Sequence, residues 1–250
     1  QIKINMGSFI TKNIPNTLTC CNLISGCIAT LCAFSGNAMW ALYWIVIGAI
    51  FDFFDGMSAR LFHVSSPIGK ELDSLADNIT FGFAPSAIIF VELSVIDYPN
   101  FMEPLRLYLP YFAFVMAAFS ALRLAKFNID ERQTTSFIGL PTPANALFWS
   151  SLLISQASFF ERSPYTIFLL IALICISSWL LISEIPMFGL KFKHWAWRGN
   201  EVKYGFIIAS AIILCLVGVF KGFWLVIALY FIISCCIALK THKKSEQNCD

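Results

Sequence analysis

Apolar and polar residues come in long blocks along this chain. Apolar runs cover roughly 18–36, 39–54, 74–96, 107–122, 141–159, 164–183, 204–220 and 222–239. Each is close to the ~20 residues that cross a hydrocarbon layer as helix, although the second is short before its acidic end. Eight such runs with polar joints predict an all-α fold, a polytopic membrane bundle of about eight transmembrane helices. Local punctuation adds detail. Pro15, in Asn13-Ile14-Pro15-Asn16-Thr17, stands where the first helix is expected to open. Asp97-Tyr98-Pro99-Asn100 reads as a turn on the outer face, and Pro85 is expected to kink the third helix. Residues 184–203 mix Lys and Arg with Phe188, Phe192, Trp195 and Trp197. That mixture suits a segment lying along the inner headgroups, or a plain connecting loop.

Composition strengthens this reading. The chain of 250 residues is 58% hydrophobic and 13% charged, with a mean hydropathy of +0.73. A soluble domain carries about a quarter charged residues, so a soluble globular fold is excluded. The net charge of +2 is uninformative, but its distribution is not. With the N-terminus inside, Lys3, Lys12, Arg60, Lys70, Arg123, Lys126, Arg132, Lys191, Lys193, Arg198, Lys203, Lys240, Lys243 and Lys244 face the cytoplasm. Only Arg106, Arg162 and Lys221 face out, a strong positive-inside bias that fixes the expected orientation. No cleavable signal peptide is expected, because a polar, basic stretch precedes the first apolar run without a cleavage site. The nine cysteines form no array with zinc spacing and read as small apolar packers of a reducing compartment. The three histidines, His63, His194 and His242, read as solvated or interfacial. No nucleic-acid partner is expected.

One polar stretch stands apart, DFFDGMSARLFHVSSPIGKELDSLADNITFG from Asp52 to Gly82. Asp52 and Asp55 are three apart, and Asp73 and Asp77 are four apart, so each pair shares one helix face. Gly56, Pro67 and Gly69 lie between the pairs and allow the chain to turn back. Two antiparallel helices would then hold four carboxylates face to face at the cytoplasmic side. Such a group repels itself and is costly near hydrocarbon, so a cation must offset it. All-oxygen ligands select hard ions, Mg²⁺ or Mn²⁺, and four carboxylates suit two divalent cations. Gly56 and Ala59 leave room for a ligand beside the helix, and Arg60 can hold a phosphate oxygen.

The spacing D-x2-D-G-x2-A-R-x8-G-x3-D-x3-D is filled by Asp52, Asp55, Gly56, Ala59, Arg60, Gly69, Asp73 and Asp77. It resembles the signature of the CDP-alcohol phosphotransferase family. The resemblance implies a six-helix catalytic core within 1–183, with 184–203 as an interfacial connection and 204–250 as two additional helices and a basic tail. It implies Asp52, Asp55 and Asp73 as metal ligands, and Asp77 as catalytic base and further ligand. Gly56, Ala59, Arg60 and Gly69, with Asn16 and Thr19 in IPNTLT, would bind the CDP-lipid. It also implies a homodimer among membrane lipids of the cell membrane.

Downstream, RLAKFNIDERQTTSFIGLPTPANA spans Arg123 to Ala146 on the aspartate side. A guanidinium there is the expected device for an acceptor that carries a carboxylate, with Asn128 and Thr142 adding neutral hydrogen bonds. Lys126 and Arg132 read instead as topology determinants that bind anionic lipid. RLAKFN followed by GLPTPAN resembles the serine-accepting branch of the family. The expected reaction is therefore transfer of the phosphatidyl group from CDP-diacylglycerol to L-serine. Glycerol 3-phosphate or an inositol phosphate is the alternative acceptor. An ion-coupled transporter fits less well, because the acids cluster at one face and no pair of broken half-helices recurs.

Overall fold

The structure is a computed structural model that describes residues 6–64, 66–130, 137–187, 197 and 200–246, with side chains outside 6–12, 137 and 239–246. Most of the aromatic and basic residues of 184–203, together with Arg132, lie outside the described residues. Every apolar run of the sequence falls on helix. The order is α1 (Met6–Phe34), α2 (Ala38–Leu61), α3 (Pro67–Asp77), a π-helical stretch (Asn78–Phe83) and α4 (Ala84–Val95). Two 3₁₀ turns (Asn100–Leu105 and Leu109–Ala113) lead into α5 (Phe114–Ile129). Then come β1 (Phe137–Ile138), α6 (Thr142–Phe160), α7 (Thr166–Ile182), β2 (Pro186–Met187), α8 (Glu201–Val217) and α9 (Val219–Glu246). Among the described residues, five helical stretches are long and apolar enough to cross a membrane: Asn13–Phe34, Ala38–Leu61, Pro67–Val95, Leu109–Ile129 and Val219–Ala238. The chain is a multi-pass membrane protein.

Two local expectations change. Pro15 does not open α1, because the helix begins upstream at Met6 and carries Pro15 in its interior. Membrane helices tolerate an interior proline more readily than soluble ones do. Pro85 sits in the first turn of α4, and the irregularity falls just before it, as the π-helical turns of 78–83. An i→i+5 stretch rotates the side chains that follow, and such stretches concentrate at functional sites.

Small residues bring three segments together at this point. A Cβ added at Gly26 of α1 would lie 2.8 Å from Thr80 Cα, and one at Gly48 of α2 would lie 2.9 Å from Asn22 Oδ1. Thr80 Oγ1 donates to Asn22 O at 3.0 Å, which pins the π-helical stretch to α1. A continuous core runs outward from there through Ile45, Phe81, Ile89, Met116 and Trp149, all fully buried. A short strap closes the end of the bundle where α6 begins. Phe137 pairs with Met187 and Ile138 with Pro186. Gly139, at φ +74°, turns the strap so tightly that a Cβ would meet Ser183 O at 2.8 Å. Asn128 and Arg123 near the end of α5, Thr142 opening α6 and the end of α7 therefore share one end of the molecule with the end of α2 and the start of α3.

Candidate active site

Helices α2 and α3, joined by a short turn and both packed against α1, bring the acids together. Ser66 caps α3, its Oγ accepting from Gly69 N at 2.9 Å, and Pro67 follows in the first helical position. Asp52, Asp55 and Asp73 each offer an oxygen within 4.8 Å of the others. Asp77 lies one turn beyond Asp73 and is 9% exposed. Its carboxyl is within electrostatic reach of all three other acids, and of Arg123.

Two polar side chains of α1 hold this group in place. Thr19 Oγ1 donates to Asp55 Oδ2 at 2.6 Å, and Asn22 Nδ2 donates to Asp77 Oδ1 at 3.0 Å. Thr19 and Asn22 are three apart, so one face of α1 serves two carboxylates on two other helices. Asp73 Oδ1 is buried with no hydrogen-bond partner. Hard oxygen donors at mutual ligating distance, one of them otherwise unpartnered, fit a divalent cation.

A cavity of about 190 Å³ opens beside the acids. Asn16, Thr19, Gly56, Ala59 and Gly69 line it with Asp55 and Asp73, and Lys70 adds a positive charge on the α3 side. A Cβ at Gly56 would meet nothing within 4 Å, so any bulk there would project into free space beside the acids. At Gly69 a Cβ would meet Asn16 Oδ1 and Ser66 Oγ at 3.0 Å, which closes that wall. Arg60 is exposed, and its Nε donates to Gly56 O at 3.0 Å, folding the guanidinium along α2.

The downstream residues separate into two groups. Arg123 is 8% exposed, and its Nη1 donates to Thr142 Oγ1 at 3.2 Å while its Nε has no partner. The guanidinium also stands 5.7 Å from the Phe127 ring. Asn128 is not brought to this pair. Its Nδ2 donates to Ser74 Oγ at 2.8 Å and its backbone carbonyl accepts from Lys70 Nζ, so it ties α5 to α3. The reason is helical phase, since Asn128 lies five residues beyond Arg123 on α5 and so points well off its face.

Sequence reasoning did not single out Asn22, Ser66 or Lys70 as site residues. Asn22 carried a signal, a carboxamide one turn after Thr19 within an apolar run, where polar side chains are costly unless used. Ser66 was legible as a cap before Pro67.

A model of the CDP-alcohol phosphatidyltransferase family matches residues 12–234, nearly the whole length. The chain belongs to that family. The match reaches into α8 and α9. Among characterised relatives, the chain is 34% identical over 189 residues to a CDP-diacylglycerol–serine O-phosphatidyltransferase of Bacillus subtilis, covering 75% of this chain and 94% of the relative. It is 34% identical over 185 residues to a protein of the same name from Helicobacter pylori, covering 72% and 74% of the two chains. A third of that name, from Methanocaldococcus jannaschii, is 37% identical over 134 residues, covering 54% and 57%. The four aspartates thus stand in a family of lipid-transferring enzymes.

Proposed function

We propose that this family member transfers the phosphatidyl group of CDP-diacylglycerol to the hydroxyl of L-serine, giving phosphatidylserine and CMP. The observation that carries the choice of acceptor is Arg123, a buried guanidinium with a free Nε, held by Thr142 and within electrostatic reach of Asp77. The names of the relatives agree with it. A carboxylate-bearing acceptor bound by Arg123 would present its hydroxyl on the side of the acids.

Asp52, Asp55 and Asp73 would hold two divalent cations, Mg²⁺ or Mn²⁺, with Asp77 as an additional ligand. Bound there, the cations supply neutralisation of the pyrophosphate and of charge growing on the departing CMP. The chain's own residues do the rest. Thr19 fixes the Asp55 carboxylate, and Asn22 fixes that of Asp77. Gly56 and Ala59 leave the cavity wall low enough for a nucleotide, while Lys70 and the first turn of α3 offer positive partners for its phosphates. Asp77 takes the hydroxyl proton as the serine oxygen bonds to the lipid-side phosphorus and the anhydride bond to CMP breaks. The acids face the cytoplasmic side of the cell membrane in this reading, as the distribution of Lys and Arg supports. The protein acts as a homodimer, which rests on family resemblance.

The test is a panel of acceptors with purified protein, CDP-diacylglycerol and Mn²⁺. We expect CMP release with L-serine, and Arg123→Ala to raise the serine KM by tenfold or more while leaving the KM for the CDP-lipid within about twofold. Release with glycerol 3-phosphate or an inositol phosphate, and none with serine, overturns the assignment.

A further inference from the structure

At the end of the bundle opposite the acids, residues 96–108 join the spans Pro67–Val95 and Leu109–Ile129. Phe101, Leu105, Leu107 and Tyr108 stand 48–78% exposed on this segment. So many large apolar side chains together are costly in water and mark an interaction surface. The segment is nevertheless fixed to the bundle. Tyr98 and Met102 are buried in its core, and Tyr98 Oη donates to Leu93 O at 2.8 Å. The Phe101 ring stacks on that of Phe168 of α7, with 6.3 Å between centroids.

The surroundings of the segment indicate lipid as its cover. Its two ends run directly into membrane spans, and the exposed Val95 continues the same apolar surface onto α4. Residues 96–108 therefore lie at the level where those spans leave the hydrocarbon. Arg106 Nη1 pairs with Glu103 Oε1 at 3.1 Å, which eases both charges beside lipid. The guanidinium also stands 5.7 Å from the Tyr98 ring centroid. The amides of Met102, Arg106 and Tyr108 donate to the carbonyls three residues back, and Pro99 and Pro104 carry no N–H. A backbone that uses its donors internally suits contact with hydrocarbon, where none can be left to water. Tyrosine and arginine together at the end of a span match the boundary between headgroups and acyl chains.

We propose that residues 96–108 are an interfacial anchor, seated at the headgroup–acyl boundary of the leaflet opposite the acids, and that this anchor sets the depth of the acids in the bilayer. The helical run from Asp77 to Val95 rises about 27 Å. That is close to the ~30 Å thickness of the hydrocarbon layer. With Val95 held at one boundary, Asp77 comes to the other, where water-soluble groups and lipid tails are both within reach.

The test has two arms, both on the full chain in phosphatidylcholine–phosphatidylglycerol vesicles. In the first, a lipid-soluble diazirine should label the peptide 96–108 roughly tenfold more than a water-soluble one. This arm does not depend on which acceptor the enzyme takes. The second arm varies acyl-chain length and reads CMP release from CDP-diacylglycerol with L-serine. Wild-type turnover should fall about threefold in bilayers several ångström thinner or thicker than its optimum. Protein carrying Leu105→Ser, Leu107→Ser and Tyr108→Ser should keep its unfolding midpoint in detergent, lose the lipid-phase label and lose most of that thickness dependence. Preferential labelling by the water-soluble probe, or protection from both probes, would mean that water or another protein covers the segment and overturns the anchor. An unchanged thickness dependence in the triple variant overturns its role in setting depth.

Discussion

Thr19 and Asn22 show how much of the site depends on uncharged side chains. Each spends a hydrogen bond on a carboxylate that other helices carry, at 2.6 and 3.0 Å. Partners of this kind orient metal ligands, and their loss lowers affinity or activity by about 10–100-fold. Thr19→Val keeps the shape and removes the donor, so we expect the Mn²⁺ concentration for half-maximal activity to rise by about tenfold. A Mn²⁺ titration of CMP release reads this directly, and an unchanged midpoint would contradict the role. Asp77→Asn separates proton removal from binding. Turnover should vanish while CDP-lipid still binds by equilibrium dialysis. Equal loss of both would make Asp77 chiefly a ligand. Gly56 and Gly82 form a contrasting pair. A Cβ at Gly56 meets nothing within 4 Å, whereas one at Gly82 meets Asn78 Oδ1 at 2.7 Å and Ser120 Oγ at 2.9 Å. Gly56→Leu should therefore leave thermal unfolding in detergent nearly unchanged and raise the KM for the CDP-lipid. Gly82→Ala should lose about 1–3 kcal/mol of stability through overpacking. The reverse pattern would mean that the open space beside Gly56 is not used by substrate.

The positions of the apolar runs were legible because a spanning helix must satisfy its backbone internally and show lipid a long apolar surface. The convergence of the α2 and α3 carboxylates was legible because Asp52, Asp55, Asp73 and Asp77 make sense only face to face. Hidden from the sequence was anything that depends on helical phase or on contacts between distant segments. Asn128 reads like a partner of Arg123, yet its amide reaches Ser74 of α3. Pro15 reads like a helix start, yet α1 passes through it. The π-helical turns have no periodic signature, since six residues are too few to shift a hydrophobic pattern visibly. Those turns are set by close packing. A Cβ on Gly26 would press on Thr80 Cα at 2.8 Å, one turn from Asn22. Gly26→Ala should push α1 from the π-helical stretch, lowering the unfolding midpoint and turnover together. A variant with normal turnover would show that this contact does not position Asn22.

At the scale of the whole molecule, one end of the bundle gathers the acids, their α1 partners, Lys70, Arg123 and Thr142, while the opposite end carries Arg106 and Arg162. Water-soluble substrate groups and metal ions are available only at an aqueous face, and the lipid tail only within the bilayer. A site at the ends of spanning helices meets both requirements. Membership of the CDP-alcohol phosphatidyltransferase family gives this arrangement its chemistry, and the buried Arg123 is the residue we propose to select the acceptor. The most direct measurement is product formation by purified protein in vesicles with CDP-diacylglycerol, Mn²⁺ and radiolabelled L-serine. We expect lipid-extractable phosphatidylserine and CMP in a one-to-one ratio, abolished by excess chelator, restored by added Mn²⁺ or Mg²⁺, and absent from Asp52→Asn or Asp73→Asn protein that remains folded. CMP formed without labelled lipid, or labelled lipid that persists in the presence of chelator, would contradict it.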